Sequence, residues 1–346
     1  MKAAVLYGDN DIRIESLKKP IPEINEALIE VKVTGICGSD LPRVLNDGAH
    51  FYPIVLGHEF SGVVEAVADN EYGIKIGDKV ACAPLLPCHN CRECLTGNHS
   101  LCKNYSFIGS RSPGSWAEYV KAPIRNLVKL TDKVSFIEGA LIEPITVVLH
   151  ALNNINFSKN PSVAIIGMGT IGMLALQCVK NLGVNDIAVF DIDDKKLANA
   201  KNHGADGIFN PMSGNFKSDL DVYNGEKGFE IVIDAVGSSL TINLSLILAS
   251  GKSQVMFIGT PTSKVEISHK DFELINRKEL IIQGSWMSYS APYPGNEWTT
   301  AVRYLEKGVI DSRSIINQAV PFENIGEIFN EIKTSGNMNR KIILEL

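Results

Sequence analysis

The sequence contains no apolar run approaching the ~20 residues needed to cross a bilayer, which argues against a membrane-spanning protein. It also lacks any excess of positive charge. Lys and Arg number 33 against 39 Asp and Glu, leaving a net charge of −6 and a pI near 5.7. That balance argues against nucleic acid or an anionic membrane surface as partner. Met1–Leu6 shows no long apolar core followed by a small-residue cleavage site, so a cytoplasmic protein without a secretory signal is expected. Cysteines are few and odd in number, seven in all, which argues against a disulfide framework in a reducing compartment. There is no internal repeat and no low-complexity segment. What remains is an ordinary globular composition, 45% hydrophobic and 21% charged, over 346 residues, a length that suits about two domains.

The first 130 residues read as β-rich. Short apolar runs over Ala27–Val33, Ser61–Val67 and Lys79–Ala83 are separated by Gly, Asn and Asp turn signals. From about residue 160 strands and helices alternate. Strands are predicted over Ser162–Ile166, Ile187–Phe190, Ile231–Ala235 and Gln254–Ile258, with helices over Ile171–Leu182 and Lys195–His203. This rhythm predicts an α/β doubly wound parallel sheet with helices on both faces. After about residue 288 the alternation is expected to lapse, and Lys341–Leu346 reads as a closing strand. The expected organisation is therefore a discontinuous β-rich domain, 1–147 with 288–346, interrupted by a dinucleotide-binding domain at 148–287.

Four of the seven cysteines crowd into fifteen residues as Cys88-x2-Cys91-x2-Cys94-x7-Cys102, in a loop at about 85–105 rich in Pro, Asn, Gly and His. Four thiolates at this spacing can close one tetrahedral shell around Zn²⁺, and a closed shell is structural. An iron–sulfur cluster is the rival, because C-x2-C-x2-C also serves clusters.

A second set of metal-binding residue types is dispersed. Cys37 lies in Thr34–Asp40, His58 and Glu59 in Leu56–Phe60, and Glu143 in Leu141–Pro144. A lone Cys in an apolar stretch is usually packing, and a lone His-Glu pair usually lies at a surface. Together they supply a thiolate, an imidazole and carboxylates, the donor set of a catalytic zinc with an open position. Such a zinc would bind the substrate alcohol and lower its pKa.

Gly167-x-Gly169-x-x-Gly172 follows a predicted strand and opens a predicted helix, and that context makes a weak motif a strong one. Gly167 allows the turn. Gly169 lets a pyrophosphate approach the helix N-terminus at Thr170 and Ile171, and Gly172 lets the helix pack on the strand. Asp191 ends the next strand, where a carboxylate accepts from ribose hydroxyls and repels a 2′-phosphate, favouring NAD over NADP. Asp193 and Asp194 read as ordinary acidic residues at a helix start.

In this order the pieces resemble the zinc-containing medium-chain alcohol and polyol dehydrogenases over essentially the whole chain. Gly57-His58-Glu59-x2-Gly62 matches that family's zinc signature and the four-cysteine loop its structural lobe. The resemblance implies a GroES-like catalytic domain beside a Rossmann domain, two zinc ions per subunit, NAD, and a homodimer or homotetramer. It implies Cys37, His58 and a carboxylate as catalytic ligands, with Glu143 direct or exchanging with water and Glu59 ligating or just behind. Lys196 matches a position contacting the adenosine ribose. Ser39 would take the alcohol proton. Many relatives carry a His five residues after the zinc cysteine, but Pro42 stands there, so the onward path must use Glu143, water or a cofactor hydroxyl. Segments such as Cys37–Arg43, Phe107–Arg111, Ile142–Val147 and Gly284–Met287 resemble the polyol-phosphate members, implying a polyol or polyol phosphate substrate. A buried phosphate needs a cation. Arg43, six residues after Cys37, is the leading candidate and Arg111 the second, although each alone also reads as a solvated arginine. The run Trp286–Trp298 could shape the pocket. The rivals are sorbitol-type, xylitol, butanediol or threonine dehydrogenases on the same scaffold, and a non-enzymatic zinc and nucleotide-binding protein.

Overall fold

A computed structural model of the chain describes residues 1–157, 160–336 and 341–346. The chain divides into two compact units, Met1–Thr146 with Ser288–Leu346, and Val147–Met287.

The first unit is organised on one long strand, Glu26–Ile36. Glu59–Val67 runs antiparallel beside it, followed outward by Lys79–Cys82 and Leu127–Lys129. Tyr119–Pro123 pairs with its first half, and the closing strand Lys341–Glu345 with its second half. Ile29 and Val31 pack with Phe60, Val64, Val80 and Val120 in one apolar core. Gly62 sits where any side chain is excluded, because a Cβ would lie 2.1 Å from the Glu30 carbonyl oxygen. The glycine of the zinc signature is therefore a packing requirement of this strand pair.

The tail departs from expectation. Helix Asn296–Glu306, strand Ile316–Pro321, helix Ile325–Ser335 and strand Lys341–Glu345 continue the α/β alternation, and the last two strands are parallel. They join the first unit's sheet because Lys341–Glu345 finds its other edge on Glu26–Ile36. Ile325, Ile328, Phe329 and Ile332 bury one helix face against Leu6, Val44 and Trp116. Trp298 is core as well, its indole N–H donating to the Ser288 carbonyl at 3.1 Å. Tyr289 and Tyr293 tie the same segment to Leu85. The Leu85 N–H donates to the Tyr289 hydroxyl at 3.0 Å, and the Tyr293 hydroxyl donates to the Leu85 carbonyl at 2.6 Å.

The second unit holds six strands, all parallel where they pair. Numbered in chain order within the unit, they lie 3-2-1-4-5-6 across the sheet. This is the doubly wound dinucleotide-binding arrangement, whose order reverses beside the first strand, Ser162–Ile166. The strands read as continuous apolar runs because helices cover both faces. The sixth, Ile281–Gly284, is an edge strand exposed along its length. Among the described residues, no helix is long and apolar enough to cross a membrane.

Candidate active site and metal centres

The sulfurs of Cys88, Cys91, Cys94 and Cys102 all lie within 4.8 Å of one another. Cys102 and Cys88 are 3.5 Å apart, Cys91 and Cys102 3.9 Å, and Cys88 and Cys94 4.0 Å. A tetrahedral zinc with Zn–S bonds of about 2.3 Å needs sulfurs about 3.8 Å apart. The thiols are free rather than paired in disulfides, so the four sulfurs fit one closed shell. Cys91 opens the short helix Arg92–Leu95, which brings Cys94 back toward Cys88. The backbone N–H groups of Asn90 and Cys91 point at Cys88 and, against the opposing effect of burial, hold its thiol down at about 6. Metal analysis of the purified protein should find two zinc ions per chain and neither iron nor labile sulfide. Cys94→Ser should reduce the count to one. A chelator should remove activity before it removes the fold, because the second centre is the open one.

That second centre is assembled from two stretches of the first unit. Cys37 follows the long strand, His58 precedes the strand Glu59–Val67, and Glu59 begins it. Their donor atoms lie within 4.8 Å of one another. Glu143, in the first turn of helix Ile142–Asn153, stands outside that group but close enough to act on it electrostatically. Burial lifts its carboxyl to about 7, with the His58 imidazole pulling down and Glu59 adding to the rise. Burial also pushes up Cys37 and Asp40. A bound divalent cation would return all three to their charged forms, which is how this donor set fits zinc.

Two residues of this centre were not singled out from sequence. The first is Asp40, fully buried, at the start of helix Asp40–Leu45. One oxygen accepts from the Cys37 N–H at 3.0 Å and the other lies 3.6 Å from His58 Nδ1. Neither that oxygen nor Nδ1 has a hydrogen-bond partner among the described residues. Asp40 thus faces Nδ1 and leaves Nε2 for a metal, the usual way a carboxylate orients a ligating imidazole. Its signal was a carboxylate three residues after Cys37. The second is Lys341, whose ammonium donates to both oxygens of Glu59 at 2.7 and 2.5 Å and to the Ile36 carbonyl at 3.0 Å. Gly35 lies in register with Glu59 on one side and Ile343 on the other. A Cβ on it would sit 2.5 Å from a Glu59 oxygen, so glycine clears the space in which the ion pair forms.

The Ser39 hydroxyl is exposed and donates to Cys37 Sγ at 3.3 Å. Pro42 serves the backbone, its carbonyl accepting from the N–H groups of Asn46 and Gly48. The Arg43 guanidinium donates to the Ser39 carbonyl and stands 3.7 Å from Asp40. The Arg111 guanidinium lies 4.6 Å over the Tyr105 ring.

In the second unit the glycine turn is held from below. Gly167 adopts φ 88° and donates to the Phe190 carbonyl at 2.7 Å. One Asp191 oxygen accepts from the Met168 N–H at 2.6 Å and the other from Asp193 N–H at 2.9 Å. A Cβ on Gly172 would lie 1.7 Å from the Gly167 carbonyl oxygen, whereas one on Gly169 would meet nothing within 4 Å. The first position is thus glycine for packing and the second faces open space. Gly169 caps helix Thr170–Asn181 with no side-chain bond, leaving the N–H groups at Thr170, Ile171 and Gly172 for an anion. Asp193 caps helix Asp194–Asn202 by accepting from Lys195 N–H, and Lys196 is half-buried on that helix.

Comparison with known proteins agrees with this construction. Residues 23–132 match the alcohol dehydrogenase GroES-like domain, and residues 170–307 match the zinc-binding dehydrogenase family. Galactitol 1-phosphate 5-dehydrogenase of Escherichia coli K12 is 39% identical over 99% of both chains. Sorbitol dehydrogenase of Bacillus subtilis is 30% identical over 93% of this chain and 91% of its own. The crystal structure of galactitol-1-phosphate dehydrogenase from Escherichia coli superposes over the full length of both chains with a TM-score of 0.93. The chain belongs to the zinc-containing medium-chain alcohol and polyol dehydrogenases, oxidoreductases whose cofactors are zinc and NAD.

Proposed function

We propose that this enzyme oxidises a polyol phosphate, galactitol 1-phosphate to L-tagatose 6-phosphate, at the Cys37–His58 centre. The observation that carries the chemistry is the convergence of one thiol, one imidazole and Glu59 within 4.8 Å, with Glu143 beside them. When bound there, zinc would polarise the substrate hydroxyl and ease its deprotonation, and NAD would supply the hydride acceptor. Cys37, His58 and a carboxylate would hold the zinc. Asp40, 3.6 Å from His58 Nδ1, is placed to orient the imidazole. The Ser39 hydroxyl takes the alcohol proton, and Glu143, a carboxylate beside the centre, is placed to carry it onward in place of the missing histidine. Cys88, Cys91, Cys94 and Cys102 would hold the structural zinc.

The substrate reading is supported by the higher identity to the galactitol 1-phosphate enzyme than to sorbitol dehydrogenase. Arg43 adds to it, because its Nε and Nη2 have no protein hydrogen-bond partner among the described residues. The test is kcat/KM for galactitol 1-phosphate against galactitol and sorbitol. If free sorbitol is turned over as well as the ester, the enzyme is an ordinary polyol dehydrogenase.

We assign the ribose contact to Asp191, with Lys196 beside it. Asp191→Ala should weaken NAD by about tenfold, the loss of a charge-assisted hydrogen bond, and relax discrimination against NADP. Initial rates with both cofactors check this, and a wild-type preference for NADP would overturn it.

The exposed edge strand Ile281–Gly284, with Ile281 57% exposed, supports a homo-oligomer formed by pairing with the same strand of a second copy. Light scattering should then give a mass of at least twice 37.7 kDa, and Ile282→Pro should lower it.

A further inference from the structure

The chain re-enters the first unit at Ser288 and reaches helix Asn296–Glu306 through a stretch that lies against the cysteine lobe. Ser100, two residues before Cys102, exchanges bonds with Tyr289. Its hydroxyl accepts from the Tyr289 N–H at 3.2 Å and donates to the Tyr289 carbonyl at 3.4 Å. A Cβ on Gly97 would lie 2.8 Å from Ala291 Cβ, so lobe and return segment meet closely there. The Tyr293 ring meets two lobe histidines edge-on, His89 at 5.4 Å and His99 at 5.1 Å. It also stacks on Tyr289 at 5.8 Å, and Tyr289 stacks on the buried Trp298 at 5.9 Å. His89 follows Cys88 directly, and His99 opens the short turn that ends at Cys102.

The same two tyrosines hold the base of the lobe. Strand Leu85–Leu86 pairs with Ser106–Phe107 and closes the loop that carries all four cysteines. Beside this pair the Ile108 N–H donates to the Pro84 carbonyl at 2.9 Å, so the N–H and carbonyl of Leu85 face the outer side. Tyr289 and Tyr293 take one each, and Asn126 Nδ2 donates to the Tyr293 hydroxyl at 2.8 Å. Asn126 and Tyr289 are buried, so water does not compete for these bonds. The lobe itself has little apolar core, because Leu95 and Leu101 are 74% and 57% exposed. Its order must come from the metal on one side and the return segment on the other.

We infer that Tyr293 is a positioning residue for the structural metal, coupling zinc in the cysteine lobe to the order of Ser288–Trp298. The inference rests on the four cysteines holding zinc, as proposed above. Such a coupling is reciprocal. If zinc in the lobe orders the return segment, then loosening the segment must weaken the lobe's hold on zinc.

The test has two arms, both on the zinc-loaded full chain. The first measures zinc affinity by competition with chromogenic chelators in the wild type, Tyr293→Ala and Tyr293→Phe. The binding step missing from Cys94→Ser identifies the lobe. Tyr293→Ala should raise the lobe's Kd for zinc about tenfold, the scale of one or two buried hydrogen bonds, and leave the open centre within twofold of wild type. Tyr293→Phe keeps the ring against His89 and His99 and should fall between the two. The second arm follows amide hydrogen exchange in Cys94→Ser. Ser288–Trp298 should exchange about tenfold faster, while strand Ser162–Ile166 keeps its wild-type rate. An unchanged lobe Kd in Tyr293→Ala, or unchanged exchange of Ser288–Trp298 in Cys94→Ser, overturns the coupling. Weakening of both zinc sites alike, or faster exchange in both segments, overturns it too, because that is general loosening. If Tyr293→Ala does not fold, Tyr293→Phe decides, and a lobe Kd within twofold of wild type overturns the coupling. If the wild type binds a single zinc, the cysteine-zinc reading itself falls and takes this inference with it.

Discussion

Replacing Cys37 with Ser or His58 with Ala should lower kcat by on the order of 10³-fold or more while leaving NAD affinity within about twofold of wild type. The two effects separate because the groups belong to different compact units. Cys37 and His58 lie in the first, and the glycine turn from Gly167 to Gly172 with Asp191 in the second. Losing a ligand removes the polarisation of the alcohol oxygen, which is worth several kcal/mol in the transition state. It does not touch the N–H groups at Thr170 and Ile171 that would face the pyrophosphate. Turnover measured with NAD, and cofactor binding followed by fluorescence titration, distinguish the two. A variant retaining near-normal kcat would refute the metal role of that residue. Asp40→Asn should show a smaller loss, about 10–100-fold, because it disturbs only the orientation of His58.

Lys341→Met should destabilise the first unit by about 3–5 kcal/mol, the usual consequence of stripping one partner from a buried ion pair. Lys341 and Glu59 expose only 2% and 1% of their side chains, so the Glu59 carboxylate would be left without a counter-charge and without water. The paired change Lys341→Met with Glu59→Gln should recover much of that loss, because the uncompensated charge is gone. Denaturant unfolding of the zinc-loaded proteins gives both numbers. A single variant as stable as the wild type would mean that Glu59 is neutralised by the metal alone. Burial of the pair also bears on ligation. Both Glu59 oxygens are engaged by one ammonium, so Glu59 has less donor strength to offer a metal than its position suggests.

Features whose parts lie close together in the chain were readable from the sequence alone. The four cysteines fall within fifteen residues, so their spacing already implies a shared centre, and the fold brings their sulfurs to within 4.8 Å of one another. The glycine turn is equally local. Its strand, turn and helix are consecutive, and the close approach of Gly172 to the Gly167 carbonyl is between residues only five apart. The parallel sheet followed from the alternation of apolar strands with amphipathic helices, a period that depends on backbone geometry alone. The tail differed from expectation in its elements, because helices and strands alternate from Asn296 to Glu345 where the alternation was expected to lapse. Lys341–Glu345 pairs on the long strand of the first unit, and Ile316–Pro321 pairs in turn on Lys341–Glu345.

The rest needed the tertiary structure. Lys341 opens an apolar strand, where it reads as an ordinary end-of-element cation. Only the pairing of that strand with Glu26–Ile36 carries its ammonium to Glu59, 282 residues away. Gly35 looked like part of a cysteine motif, and only the register shows that it clears space for that ion pair. Asp40 and His58 are eighteen positions apart on different elements, so their 3.6 Å approach leaves no periodic trace. Short-range spacing thus determined the cysteine lobe, the cofactor turn and the α/β class, because chain connectivity alone holds those parts together. The catalytic centre and its charge balance were decided by strand register and loop closure, because their energies depend on contacts between residues that the chain itself leaves far apart.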